Sequence, residues 1–212
     1  RFAEGGYRVA MLARTESRLQ ELAAKVPGAT AFPCDVADEA QVAATTARIS
    51  RELGPVNVLI HNAVGGAWGD FQQIEPAVLQ GNFSVNVMAL LHLARAVAPA
   101  MIDAGAGTIL VTGNTSAYRG KAAFAGFAPT KAAQRVLAES MARALGPRGI
   151  HVAYLAIDAV IDVPWARERL PDKPDDFFAK PSAIAEVAFS LAHQDRSAWA
   201  FDAVVRPFCE PW

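Results

Sequence analysis

What most constrains this chain is an alternation. Short β-prone apolar runs recur at 8–13 (RVAMLA), 29–33 (ATAFP), 56–60 (VNVLI), 107–112 (GTILVT), 151–157 (HVAYLAI) and 199–206, with helical segments between them. The connections are too long for hairpins, so the strands are expected to run parallel with crossover helices on both faces. The runs are continuously apolar, as strands covered on both faces require. The expected fold is α/β, a doubly wound parallel sheet in a single domain spanning 1–212.

Helix ends are marked by local chemistry. A helix is expected over 15–25 with Leu19 and Leu22 on one face, ending at Pro27-Gly28. Asp38 is placed to cap a second helix that runs to Leu53 and closes at Gly54-Pro55. A long helix is expected over 83–104. Another follows FAPTK (127–131), with Ala133, Val136, Leu137, Ser140, Met141, Ala144 and Leu145 on its apolar face and Pro147 and Gly149 ending it. A last helix is expected over 181–193, and the Pro- and charge-rich stretch 166–180 is expected to be mobile.

Composition narrows the function. The 212 residues carry a formal net charge of −1 with no Lys/Arg block, so the electrostatic footprint for a nucleic-acid partner is missing. The two cysteines, Cys34 and Cys209, stand outside any CxxC or Cys/His ligand spacing; free thiols and no metal site are expected. The apolar stretch from Val85 to Ile102 is interrupted by His92 and Arg95 and has helical periodicity, so no membrane span is expected, and the compartment is expected to be cytoplasmic.

In sheets of this kind ligands bind beyond the carboxyl ends of the strands. Five features fall there in order: Arg14, Asp35-Val36, Asn62-Ala63 in HNAVGG, Asn114 to Ser116, and Asp158 to Pro164. Together with FAPTK, this series resembles the short-chain dehydrogenase/reductase family over essentially the whole chain. The resemblance implies a Rossmann-like fold, a small-molecule substrate and a homodimer or homotetramer. It also implies that Asp35 and Val36 flank the adenine, that Asn62 supports the sheet edge, and that Ala63 lies along the adenosine ribose. Asn86 then matches a helix Asn that holds a water for proton relay, and Lys131 the Lys that binds the nicotinamide ribose. Read singly, Asp35 is also a possible helix-entry cap, Asn62 a turn residue and Lys131 a surface charge.

At the end of the first strand stands Arg14, with Arg18 one turn on. An Arg accepts a ribose 2′-phosphate where a carboxylate would bind the 2′-hydroxyl, so NADP is favoured over NAD. The bland alternative is a pair of solvated helix-start charges. The family's glycine-rich loop and the strand before it do not occur in the 212 residues. About 15–20 further residues ahead of Arg1 are expected to carry them.

The family's proton donor is a Tyr four residues before the Lys, and at that place this chain has Phe127. Phe cannot donate, accept or titrate. Thirteen residues upstream, where the family has Ser, stands Asn114; Asp158-Ala159 and Val163 replace a Pro-Gly pair and a Thr. Substitute donors within reach are Tyr118, Ser116, Thr115, a water on Asn86, or Lys131. Two readings follow. One is an atypical NADP-dependent oxidoreductase of a carbonyl, alcohol or activated alkene. The other is a catalytically silent fold that binds a nucleotide or another subunit.

Overall fold

The computed structural model describes residues 1–210. The chain alternates as expected: β1 (Val9–Ala13), α1 (Glu16–Lys25), β2 (Ala29–Pro33), α2 (Glu39–Leu53) and β3 (Val58–His61). Then come α3 (Pro76–Phe83), a π turn (Ser84–Met88), α4 (Ala89–Ala104), β4 (Gly107–Gly113), α5 (Ala128–Leu145) and β5 (Ile150–Ile157). The short β6 (Val160–Ile161), α6 (Pro164–Arg169) and β7 (Phe178–Ala179) precede α7 (Pro181–Ala192) and β8 (Asp202–Val205). Every strand pair is parallel.

The strands pair as β1-β2 and as β3-β4-β5-β8, with β6-β7 apart. The edges of β1 and β3 face one another across a cleft of ≈ 680 Å³, lined by Val9, Ala10 and Leu12 on one side and Val58 to His61 on the other. Two half-sheets are thus held at a spacing by their helices, chiefly through Val42 of α2 packed with Leu93 of α4 and Cys34. On one face of the four-stranded part, Leu90, Val97 and Met101 of α4 and Ala138 of α5 bury Ile109, Val111, Val152 and Tyr154. On the other, Ala188 and Leu191 of α7 pack on Leu110, Ala153 and Leu155.

The caps follow the sequence. Asp38 accepts the Gln41 N–H at 3.0 Å at the start of α2, and Gly54 ends it at a φ of 90° that favours glycine. Three expectations are corrected. The long helix starts at Pro76, seven residues before the expected Phe83, because Pro sits at its first position, where a missing N–H costs nothing. In α5 Thr130, Lys131, Gln134 and Ala138 are buried and Leu137, Met141 and Leu145 of the expected face pack on the core, while Val136, Ser140 and Ala144 are exposed. An apolar stripe misses part of it because three of the buried side chains are polar and satisfied by hydrogen bonds. Leu22 is likewise 46% exposed.

The 166–180 stretch, expected to be mobile, folds into α6, a one-turn helix and β7. Arg167 holds it, donating to Asp162 at 2.7 and 2.9 Å and to Asp175 at 2.6 Å while its guanidinium lies over Phe178. The helical stretch Pro76–Ala104 is long and apolar enough to cross a membrane by length and composition alone, yet its Leu90, Leu93, Val97 and Met101 are core residues.

Gly113 is where β4 can approach β5 only without a side chain: a Cβ there would run into the ring and hydroxyl of Tyr154. Gly113→Ala is expected to destabilise the protein by about 1–3 kcal/mol through overpacking. A urea titration compared with an exposed control, Gly120→Ala, measures it.

Candidate functional site

The carboxyl ends of β1 to β4 gather most of the residues named from the sequence. Val36, Asn62 and Ala63 line the same cleft as Leu12 and His61. Asp35 closes the turn after β2, its Oδ1 accepting the Ala37 N–H at 3.0 Å; the α2 cap is Asp38, so Asp35 is not the helix-entry cap. Arg14 and Arg18 are exposed at the start of α1, and among the described residues no ion pair holds either.

From Asn62 a line of hydrogen bonds runs inward. Thr112 at the end of β4 donates to Asn62 Oδ1 at 2.7 Å, and the Thr112 carbonyl accepts Lys131 Nζ at 3.2 Å. Lys131 also donates to Gln134 Oε1 at 2.7 Å, and Gln134 Nε2 donates to the Asn86 carbonyl at 2.8 Å. Asn86 sits in the π turn, a distortion frequent at functional sites. Its Oδ1 takes the Gly65 N–H, and its Nδ2 gives to the Gly65 carbonyl and to Thr130 Oγ1. Thr130 in turn donates to the Phe127 carbonyl at 2.8 Å. The Asn86 side chain therefore fastens the HNAVGG loop to the first turn of α5. Neither Gln134 nor Thr130 was picked out by sequence; Gln three residues after Lys on a helix face was the signal available.

This network is buried. Lys131 is 3% exposed, and burial pushes its ammonium down to about 8. His61 lies beside it with neither ring nitrogen hydrogen-bonded. Burial and then the Lys131 charge push the imidazole down to about 4, against a weaker opposing influence from the backbone of Asn86 and Val85. His61 is thus neutral at pH 7.

The remaining candidates part company. Phe127 is 3% exposed, covered by Trp68 at 4.6 Å between ring centres, and Phe124 also meets the indole at 4.5 Å. The loop that carries Trp68 is pinned there by Gly69, which exchanges backbone hydrogen bonds with Ala123 and Ala125, and by Asn82, which donates to the Gly126 carbonyl at 2.6 Å. Asn114 is turned onto its own chain: its Oδ1 accepts the Ser116 N–H and caps the one-turn helix Thr115–Ala117. Tyr118 donates to Asp202 at 2.9 Å with Arg135 over its ring, and burial raises its phenol; that hydroxyl serves an ion-pair cluster. Thr115 donates instead to Asp158, at 2.6 Å.

A short chain dehydrogenase family pattern matches residues 1–172, and the chain belongs to that family. It is 32% identical over 171 residues to the 7alpha-hydroxysteroid dehydrogenase of Escherichia coli (strain K12), covering 77% of this chain and 67% of that protein. It is 28% identical over 201 residues to a Xanthobacter autotrophicus protein described as inactive 2-(S)-hydroxypropyl-CoM dehydrogenase 2, covering 88% and 87%. A metagenomic short-chain oxidoreductase solved in complex with NADP superposes with a TM-score of 0.83 at 25% identity, over 99% of this chain and 89% of that one. With other relatives, such as the 2,3-dihydro-2,3-dihydroxybenzoate dehydrogenase of Bacillus subtilis, the match spans 46% to 59% of their length.

Because folding depresses the Lys131 ammonium from 10.5 to about 8, the unfolded chain binds more protons than the native one between those values. Its contribution to stability therefore rises with pH from about 8 to 10.5 and is absent below. The unfolding free energy of the unmutated protein minus that of Lys131→Met should climb across this window. Denaturant titrations of the two proteins at each pH test it.

Proposed function

We propose that this chain is the dinucleotide-binding and catalytic domain of an NADP-dependent oxidoreductase acting on a small carbonyl or alcohol, with proton transfer assigned to a group other than Phe127. One observation carries the reading. Val36, Asn62 and Ala63 line one cleft, and Asn62 is joined through Thr112 to the buried Lys131. A purely structural fold has no need of a buried ammonium at that place.

The donor set suits the cofactor. Val36 and Ala63 offer apolar walls to an adenosine, and the exposed guanidiniums of Arg14 and Arg18 offer planar donors to a 2′-phosphate. Lys131 spends two of its three donors on Thr112 and Gln134, which leaves one for a ribose hydroxyl. A nicotinamide dinucleotide, when bound, supplies or accepts the hydride. The exposed Phe83, Met88 and Val136 fit packing against a second copy of the chain.

The second reading, a silent nucleotide binder, has its own support. Phe127 lies sealed beneath Trp68, and the Gln134 amide joins Lys131 to the Asn86 carbonyl.

Calorimetry on the full-length protein should give a dissociation constant for NADPH of about 10 μM or tighter, and weaker binding of NADH. Arg14→Glu should weaken NADPH binding by roughly tenfold while moving NADH by less than about twofold, as loss of one charge-assisted phosphate contact requires. Binding of neither nucleotide rejects both readings. Phe127→Tyr should raise carbonyl reduction; an unchanged rate would mean that the proton route no longer passes this position.

A further inference from the structure

Past the ends of β4 and β5 a hydroxyl meets a carboxylate. Thr115 Oγ1 donates to Asp158 Oδ1 at 2.6 Å, a short contact typical of an O–H on an ionised acceptor. Both residues are set by their backbones. Thr115 opens the one-turn helix Thr115–Ala117, and Asp158, the first residue after β5, donates its N–H to the Val205 carbonyl at 2.8 Å. Arg206 Nη1 lies 3.8 Å from the other carboxylate oxygen, and the Asp158 side chain is 14% exposed. Thr115 is only partly buried. The pair therefore stands at the carboxyl edge of the sheet, where a ligand in such a fold binds, and solvent reaches it.

Its neighbours leave the work to it. Phe127 has no hydroxyl, the Tyr118 hydroxyl is bound to Asp202, and Asn114 is spent on Ser116. Tyr118 also has a carboxylate behind its hydroxyl, but Asp202 is held by Arg135 as well; Thr115 is the hydroxyl whose carboxylate stands past the end of β5.

We propose that Thr115 and Asp158 form the proton-transfer pair of this protein, an inference that rests on the oxidoreductase reading above. In alcohol oxidation, a nicotinamide dinucleotide held by the cleft residues would supply the oxidant for the hydride of the carbinol carbon, which departs with both electrons of the C–H bond. The alcohol O–H breaks as its proton passes to Thr115 Oγ1, and the Thr115 proton passes to the Asp158 carboxylate. The freed O–H electron pair closes the C=O bond. Asp158 then returns the proton to solvent; reduction runs the same steps backwards from a protonated Asp158. Thr115 touches the substrate oxygen, and Asp158 acts through it.

Full-length protein, assayed with NADP⁺ against a panel of primary, secondary and steroid alcohols, tests the pair. Thr115→Val and Asp158→Asn should each lower kcat by about 10²–10⁴-fold, the share of a general base, and Thr115→Ser should retain activity. The dinucleotide dissociation constant should stay within roughly threefold, since the proposal places neither residue on the dinucleotide. A proton inventory in mixed H₂O and D₂O should curve for the unmutated protein, with two protons in motion, and straighten in Asp158→Asn. In the dinucleotide-free protein, proton NMR should show a downfield Thr115 hydroxyl resonance that moves upfield in Asp158→Asn. Thr115→Val with kcat near that of the unmutated protein overturns the pair and leaves the oxidoreductase reading standing. No turnover across the panel overturns both.

Discussion

An ammonium in the protein interior organises the centre of this structure. An isolated buried charge is among the costliest groups a fold can hold, and it persists only where hydrogen bonds meet it. Lys131 finds them at the Thr112 carbonyl and Gln134, and those partners fix what surrounds them. Thr112 is tied to Asn62 at the end of β3, Gln134 to the π turn, and Asn86 of that turn to both the 61–66 loop and α5. One charge thus sets the mutual position of β3, β4, the long helix and α5. Mutations anywhere along the chain of bonds should couple more strongly than their separation in sequence suggests.

The same network explains why the fold was more legible than the site. Strand alternation, Asp38 as cap and Gly54 as stop are local signals, and each sits where its own few residues dictate. The face of α5 is not local. Lys131 and Gln134 are buried because each satisfies the other and Asn86 satisfies Gln134 across 48 positions, which no hydrophobic period can register. The helix start at Pro76 and the ordering of 166–180 by Arg167 escaped for related reasons. One is a proline standing at a helix's first turn, the other a charge-rich stretch whose charges pair with each other.

At the candidate site the sequence named residues but not orientations. The order after successive strands singled out Asn62 and Asn114, and the helices supplied Asn86 and Lys131, but only coordinates show which way each side chain turns. Asn114 turns onto its own helix, and Asn86 is consumed in fastening a loop to α5. Tyr118, the nearest phenol in sequence to FAPTK, is claimed by Asp202 and Arg135. His61 could be read as one more polar residue of a loop, yet it is an unpartnered neutral ring against a buried ammonium.

The ring at 127 carries no hydroxyl, and that bears on Lys131 directly. A phenol above a lysine can share its charge, whereas a benzyl ring offers Lys131 only its π face, here with Nζ 5.9 Å from the ring centre. The ammonium must then be stabilised from below, which is what the Gln134 carbonyl oxygen does at 2.7 Å. An amide in that position accepts and donates at once but does not pass a proton along, since its nitrogen holds its hydrogens at neutral pH. Phe127 and Gln134 are therefore consistent with each other: with no phenol to recharge, a relay beneath Lys131 has nothing to deliver.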